Sequence, residues 1–301
     1  NFFSAPKLQE VRKALELNDA PRHFRFIYGE SFEDTEVEET IESMAELTIW
    51  EFPEEDGVYS IGADPAYGSS DWADRFAIEV WRCYADRFVQ VAEFCTADMN
   101  TYRFAWVMCY LAGFFRNSML NLEINGPGQA VFAEMQALRR RAAAIPRALD
   151  TGLKNFLANL QYYLYRRMDT IGGGVVYHWK TTSDTKERAF NTMRDLVDRN
   201  EAVLKSEGLL DEMKVIVRED GFLGASGRAK DDRFMAACLA AVQYVDYIKF
   251  KLASEKRTYA IETAKKARAE KEKLEGVKLD EPISSALTKG VKAHLARIGI
   301  K

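Results

Sequence analysis

A run of small and apolar residues, Val58 to Ala63, ends in Asp64-Pro65 and the loop Gly68-Ser69-Ser70. Both alternating sets, Val58/Ser60/Gly62 and Tyr59/Ile61/Ala63, are small or apolar, which is the pattern of a central strand covered on both faces. An acid at the end of such a strand stands at the sheet edge, where α/β folds place their chemistry. Asp64 therefore marks the point around which the other elements are expected to arrange.

Residues 75–84 (RFAIEVWRCY) alternate and are rich in β-formers, Ala85-Asp86 turn the chain, and residues 87–95 (RFVQVAEFC) return. Strand 58–63 and this hairpin predict three antiparallel neighbours. Residues 99–117 are apolar around a full helical period, as in a buried helix. Residues 119–125 (MLNLEIN) read as a strand broken by Gly126-Pro127-Gly128, and 128–142 as a helix ending in basic residues that suit its dipole. Helix 152–168, strand 175–181, helix 184–200 capped at Thr182/Ser183, an ambiguous 209–220, a glycine-rich loop 221–230 and an apolar helix 231–250 complete the pattern. Three antiparallel strands followed by strands alternating with helices is the chain order of the ribonuclease H-like fold. The expected class is therefore α/β: a mixed sheet of three antiparallel strands then two parallel, flanked by helices.

Residues 1–54, with helix candidates at 7–17 and 33–47, read as a lead-in or linker; 55–250 as the main domain; 251–301 as a basic helical tail. The tail carries a net charge of +6 and the rest −10, within a total of −4. Such a tail suits an acidic partner or simply a solvated helix. No run of 18 apolar residues is present, so no membrane-spanning helix and no membrane partner is expected. The four cysteines lie in apolar surroundings without CxxC spacing, as reduced structural thiols do. The first residue is Asn1, not Met, and no signal peptide precedes it, so the chain reads as part of a longer cytoplasmic protein.

Asp64 and Glu123 each end a strand, and if the two strands are parallel neighbours both acids emerge at one edge. Strand axes lie about 4.8 Å apart, and carboxylates that close repel unless a proton or cation intervenes. Asp231 and Asp232 open a helix that must pack on the sheet, with its N-terminal dipole nearby. Hard oxygen ligands from separate elements suit Mg²⁺ or Mn²⁺, and two such ions roughly 3.5–4 Å apart serve phosphodiester hydrolysis. Taken singly, these acids are turn, edge and capping residues. His178 reads as a structural histidine, and Lys180, Lys186 and Arg188 as phosphate contacts or a solvated helix start.

The ordered set Asp64-Pro65-Ala66-x-Gly68, Asp71/Asp74, Glu123-x-Asn125-x-x-Gly128, Trp179-Lys180-Thr181 with Lys186, and Asp231-Asp232 resembles the C-terminal nuclease domain of the tailed-bacteriophage large terminase, over roughly residues 55–250. The resemblance implies an endonuclease that cuts double-stranded concatemeric viral DNA during genome packaging in the host cytoplasm. It implies two Mg²⁺ or Mn²⁺ ions held by Asp64, Glu123, Asp231 and Asp232, with Asp71 assisting. It further implies the portal or procapsid and the small terminase subunit as partners. Lys230 stands where the family often has a histidine. The family's packaging ATPase has no counterpart here, because no GxxxxGK[ST] loop is present. A junction resolvase or transposase-type nuclease, or a non-catalytic module docking on the portal, stays open as an alternative.

Overall fold

The computed structural model describes residues 1–16, 20–67, 74–144, 157–168, 173–219 and 221–276. In chain order its elements are α1 (Ala5–Leu15), β1 (Arg22–Ile27), β2 (Glu36–Glu39), β3 (Leu47–Ile49), β4 (Tyr59–Asp64), β5 (Phe76–Cys83), β6 (Phe88–Thr96), α2 (Thr101–Phe114), β7 (Ser118–Leu122), α3 (Gly128–Ala143), β8 (Arg166–Met168) and β9 (Val175–Tyr177). There follow α4 (Ser183–Asp198), β10 (Ala202–Val203), α5 (Glu207–Val215), β11 (Ile216–Glu219), β12 (Phe222–Ala225), α6 (Asp232–Gln243), α7 (Lys249–Ser254) and α8 (Tyr259–Gly276). The chain divides into two compact units, Asn1–Lys256 and Arg257–Lys301, and α8 belongs to the second.

The main sheet runs in the order β2-β1-β3-β6-β5-β4-β7. β4, β5 and β6 pair antiparallel, and β7 pairs parallel to β4. This is the mixed sheet that the chain order predicts, with β4 between antiparallel β5 and parallel β7. β4 and β5 are buried on both faces because each face carries its own apolar core. One core gathers α2 and α3 with β1 and β3; the other gathers α1, α4, α5 and α6.

Residues 1–54 are a structural part of the unit, not a lead-in. Phe2 and Phe3 enter the second core, and β1 and β3 extend the sheet beyond β6. The helix expected over 33–47 is replaced by β2, β3 and two short 3-10 turns. In a strand, the acids of 36–39 face the arginines of β1: Glu39 pairs with Arg22 at 2.6 Å, and Glu38 pairs with Arg25. A helix would have crowded those like charges together.

Within its described part the helix expected over 152–168 is helical only at 157–158, and a 3-10 turn at Leu160–Tyr162 and the strand β8 follow. The fifth strand is not the continuous 175–181. It is made of two pieces laid end to end along β7. Tyr165 N–H donates to Leu120 O (2.7 Å), and Trp179 N–H donates to Leu122 O (2.9 Å). His178 N–H closes on Tyr165 O (2.8 Å), so the β8–β9 hairpin leaves and rejoins the sheet at one point. Segment 209–220 divides between helix α5 and strand β11, and β12 lies within the expected glycine-rich loop. Helix 231–250 is interrupted by a π turn at Tyr244–Ile248, and Lys256 at φ 56° ends α7, so the tail helix is separate.

Candidate metal centre

The register of β4 with β7 pairs Ala63 with Leu122, which makes Asp64 and Glu123 next in line at the shared C-terminal edge. Glu123 N–H donates to Ala63 O at 2.9 Å, continuing the ladder one residue past β7. Its other side is fixed by a parallel bridge to Trp179. Gly128 is obligatory here, because a Cβ would lie 1.8 Å from Glu123 O. Asn125 locks the following loop by a reciprocal pair with Thr181 (Nδ2 to O 2.8 Å; N–H to Oδ1 3.0 Å).

The Asp64 carboxyl is held well above the usual carboxylate range. Burial is the largest cause, followed by the Glu123 charge and a side-chain hydrogen bond with Glu123, then by Asp232 and Asp231. The charges of Glu123, Asp232 and Asp231 thus all bear on the Asp64 carboxyl. Among the described residues, neither Asp64 nor Glu123 is ion-paired with a lysine or arginine.

The doublet reaches this edge because α6 crosses directly over β4. A Cβ on Gly62 would lie 1.9 Å from Ala236 O and 2.6 Å from Ala240 N, so only glycine permits the crossing. Three buried polar side chains then pin the helix to the two strands. Ser60 Oγ donates to Ala240 O (2.7 Å), and Asn121 Nδ2 to Leu239 O (3.1 Å). Gln243 Nε2 donates to both Ile61 O and Met119 O (2.8 Å each). Asp231 occupies the N-cap position of α6, yet its side chain makes no capping bond. It accepts from Lys186 Nζ at 3.2 Å instead. Asp232 Oδ2 accepts from Arg75 N–H (3.1 Å) and Arg75 Nε (3.3 Å). The plain capping role open to such a doublet is therefore not the role it has.

The donor set suits a hard divalent cation: carboxylate oxygens only, two of them crowded and without a cationic side chain. Among the described residues, no three His, Cys, Asp or Glu groups stand in a metal-ligating arrangement. Asp231 and Asp232 each meet a basic group instead, Lys186 and Arg75. Asp71 falls at 68–73, outside the described residues. Lys186 is at the acids and also lies over the Phe190 ring (5.1 Å). Lys180 is exposed just after Trp179, the bridge partner of Glu123. Arg188 is turned elsewhere, onto Asp246 (2.6 and 2.8 Å).

Sequence reasoning passed over Arg75 and Glu212. Glu212 is buried, accepting from Arg75 (2.5 Å), Arg233 (3.3 Å) and Phe234 N–H (3.0 Å). Its signal was available: an acid on the same stripe as Leu209 and Met213 in α5. His178 is the buried structural histidine expected. Its Nδ1 accepts from Leu122 N–H (3.3 Å), and burial pushes its pKa down to about 3.

No protein-family model and no curated protein matches the sequence. Solved structures do match. The large terminase nuclease of thermophilic phage G20c with bound magnesium is 16% identical, with a TM-score of 0.48, covering 77% of this chain and 96% of that one. The large terminase nuclease domain of Thermus phage P74-26 is 16% identical, with a TM-score of 0.44, covering 78% and 95%. The human cytomegalovirus terminase nuclease domain is 14% identical, with a TM-score of 0.40, covering 62% and 82%.

Proposed function

We propose that this chain is a metal-dependent endonuclease that cuts double-stranded viral DNA during genome packaging. What supports the reading is that Asp64 and Glu123 directly follow the paired residues Ala63 and Leu122 at one sheet edge, while Asp231 and Asp232 open the helix that crosses β4 and their charges bear on the Asp64 carboxyl. Two half-buried carboxyls at neighbouring strand ends repel unless a proton or a cation stands between them.

In this reading, Asp64 and Glu123 hold divalent cations from the two strand ends, and Asp231 and Asp232 close the set from the start of α6. Mg²⁺ or Mn²⁺ bound there would polarise the phosphodiester and provide a nucleophilic water at neutral pH. The β4–β7 ladder and the Gly62 crossing fix the spacing of the acids before any substrate arrives. Lys186 balances Asp231 and can be transferred to a phosphate oxygen, while exposed Lys180 approaches the same strand end. The main chain of Glu123, held between Ala63 and Trp179, fixes where its side chain leaves the edge. Asp71 as an assisting ligand, and the basic 251–301 segment as a contact for DNA, portal or small subunit, belong to the same proposal.

The test is plasmid cleavage with Mg²⁺ or Mn²⁺ by the natural chain, Asp64→Asn and Glu123→Gln. Nicking and linearisation are expected only from the natural chain and only with metal. Equal cleavage by Asp64→Asn refutes the assignment. Preference for four-way junctions over linear duplex would move the reading to a resolvase.

A further inference from the structure

Arg75 is placed where a cation is wanted. It stands at the entry to β5 and meets Asp232 across a separation of 157 residues. Two of its groups converge on the same oxygen, Asp232 Oδ2: the main-chain N–H at 3.1 Å and Nε at 3.3 Å. The stronger grip of the guanidinium is elsewhere, on Glu212 Oε1 at 2.5 Å. Glu212 cannot follow a moving partner. Its second oxygen takes Phe234 N–H (3.0 Å), and its first also takes Arg233 (3.3 Å), which is itself tied to Glu93 (2.8 Å). Asp232 is thus oriented by a main-chain donor and neutralised by a side chain that is anchored to something else.

We propose that Arg75 is a placeholder cation: its guanidinium neutralises Asp232 in the metal-free protein, yields Oδ2 to an arriving divalent ion, and is kept at the edge of the site by Glu212. The inference rests on the reading of Asp232 as a metal ligand. The main-chain N–H survives any side-chain change at position 75, so Asp232 keeps its orientation when the guanidinium is gone. Removing the guanidinium therefore removes a competitor without releasing the ligand. Arg75 is a positioning residue with respect to charge and need not touch the reacting atoms.

Isothermal titration of Mn²⁺ into the natural chain, Arg75→Gln and Asp232→Asn tests this directly. Arg75→Gln is expected to bind Mn²⁺ roughly fivefold more tightly at the site that includes Asp232, the strength of a partly exposed ion pair. Asp232→Asn is expected to lose that site. Unchanged or weaker binding by a folded Arg75→Gln overturns the placeholder while leaving the metal centre in place. No saturable uptake by the natural chain overturns the metal centre itself. If Arg75→Gln fails to fold, the Arg75 Nε–H resonance of the natural chain decides: it should move on Mg²⁺ saturation, and a fixed resonance refutes the proposal.

Discussion

Gly62→Ala adds one methyl group at the point where α6 crosses β4. Its Cβ would stand 1.9 Å from Ala236 O and 2.6 Å from Ala240 N, and both obstacles are main-chain atoms of a helix. Reaching even a 3.0 Å contact requires the helix to lift by roughly 1 Å. Lifting it strains the bonds from Ser60, Asn121 and Gln243, each of which spans the helix and the strands. Overpacking of this kind costs about 1–3 kcal/mol. At about 2–4 °C per kcal/mol for a unit of this size, the melting temperature should fall by roughly 3–10 °C. The same displacement carries Asp231 and Asp232 away from Asp64. A misplacement of about 1 Å is worth on the order of a hundredfold in rate. Differential scanning calorimetry and Mn²⁺-dependent plasmid nicking would be read on the same preparation. Gly62→Ala with an unchanged melting temperature and full nicking would refute both the crossing and its role in seating the doublet.

Asp64→Asn relieves a conflict between neighbouring carboxylates, so in metal-free buffer near neutral pH it should raise the melting temperature while abolishing the Mg²⁺-induced rise. The sign follows from linkage: an acid whose folded value is raised contributes fully below its ordinary 3.8 and loses that contribution as pH climbs through the folded value. His178 acts in the opposite sense. The unfolded imidazole titrates near 6.5 and the folded one near 3, so acidification from about pH 7 to about pH 5 should cost about 2 kcal/mol, and His178→Asn, which tolerates φ 65°, should flatten the dependence in urea titrations. Gly128→Ala places a methyl 1.8 Å from Glu123 O and should cut divalent affinity measured by calorimetry by more than tenfold.

The strands β4 to β7 were legible because two-sided burial and alternation are local patterns, and their order fixed which acids would share an edge. Glu123 and Asp64 are adjacent for that reason alone. The N-terminal strands were not legible. Residues 33–47 carry acids at a spacing that fits a helix, and only the arginines of β1, a dozen or more residues away, make a strand preferable. Arg75 was invisible for the same reason on a larger scale, since nothing near it in sequence announces Asp232. The split fifth strand escaped because each half is too short to show a period, and its two halves are joined by a histidine in left-handed backbone.

That split strand gives the fold a point of tolerance. The excursion from Tyr165 to His178 departs and returns across a single hydrogen bond, and each anchor is bonded to β7 on its own. Chain added between such closely held ends costs little entropy, since the penalty grows only with the logarithm of loop length. An insertion between β8 and β9 should therefore leave the two anchors on β7, and with them the strand ends that carry Asp64 and Glu123, in place.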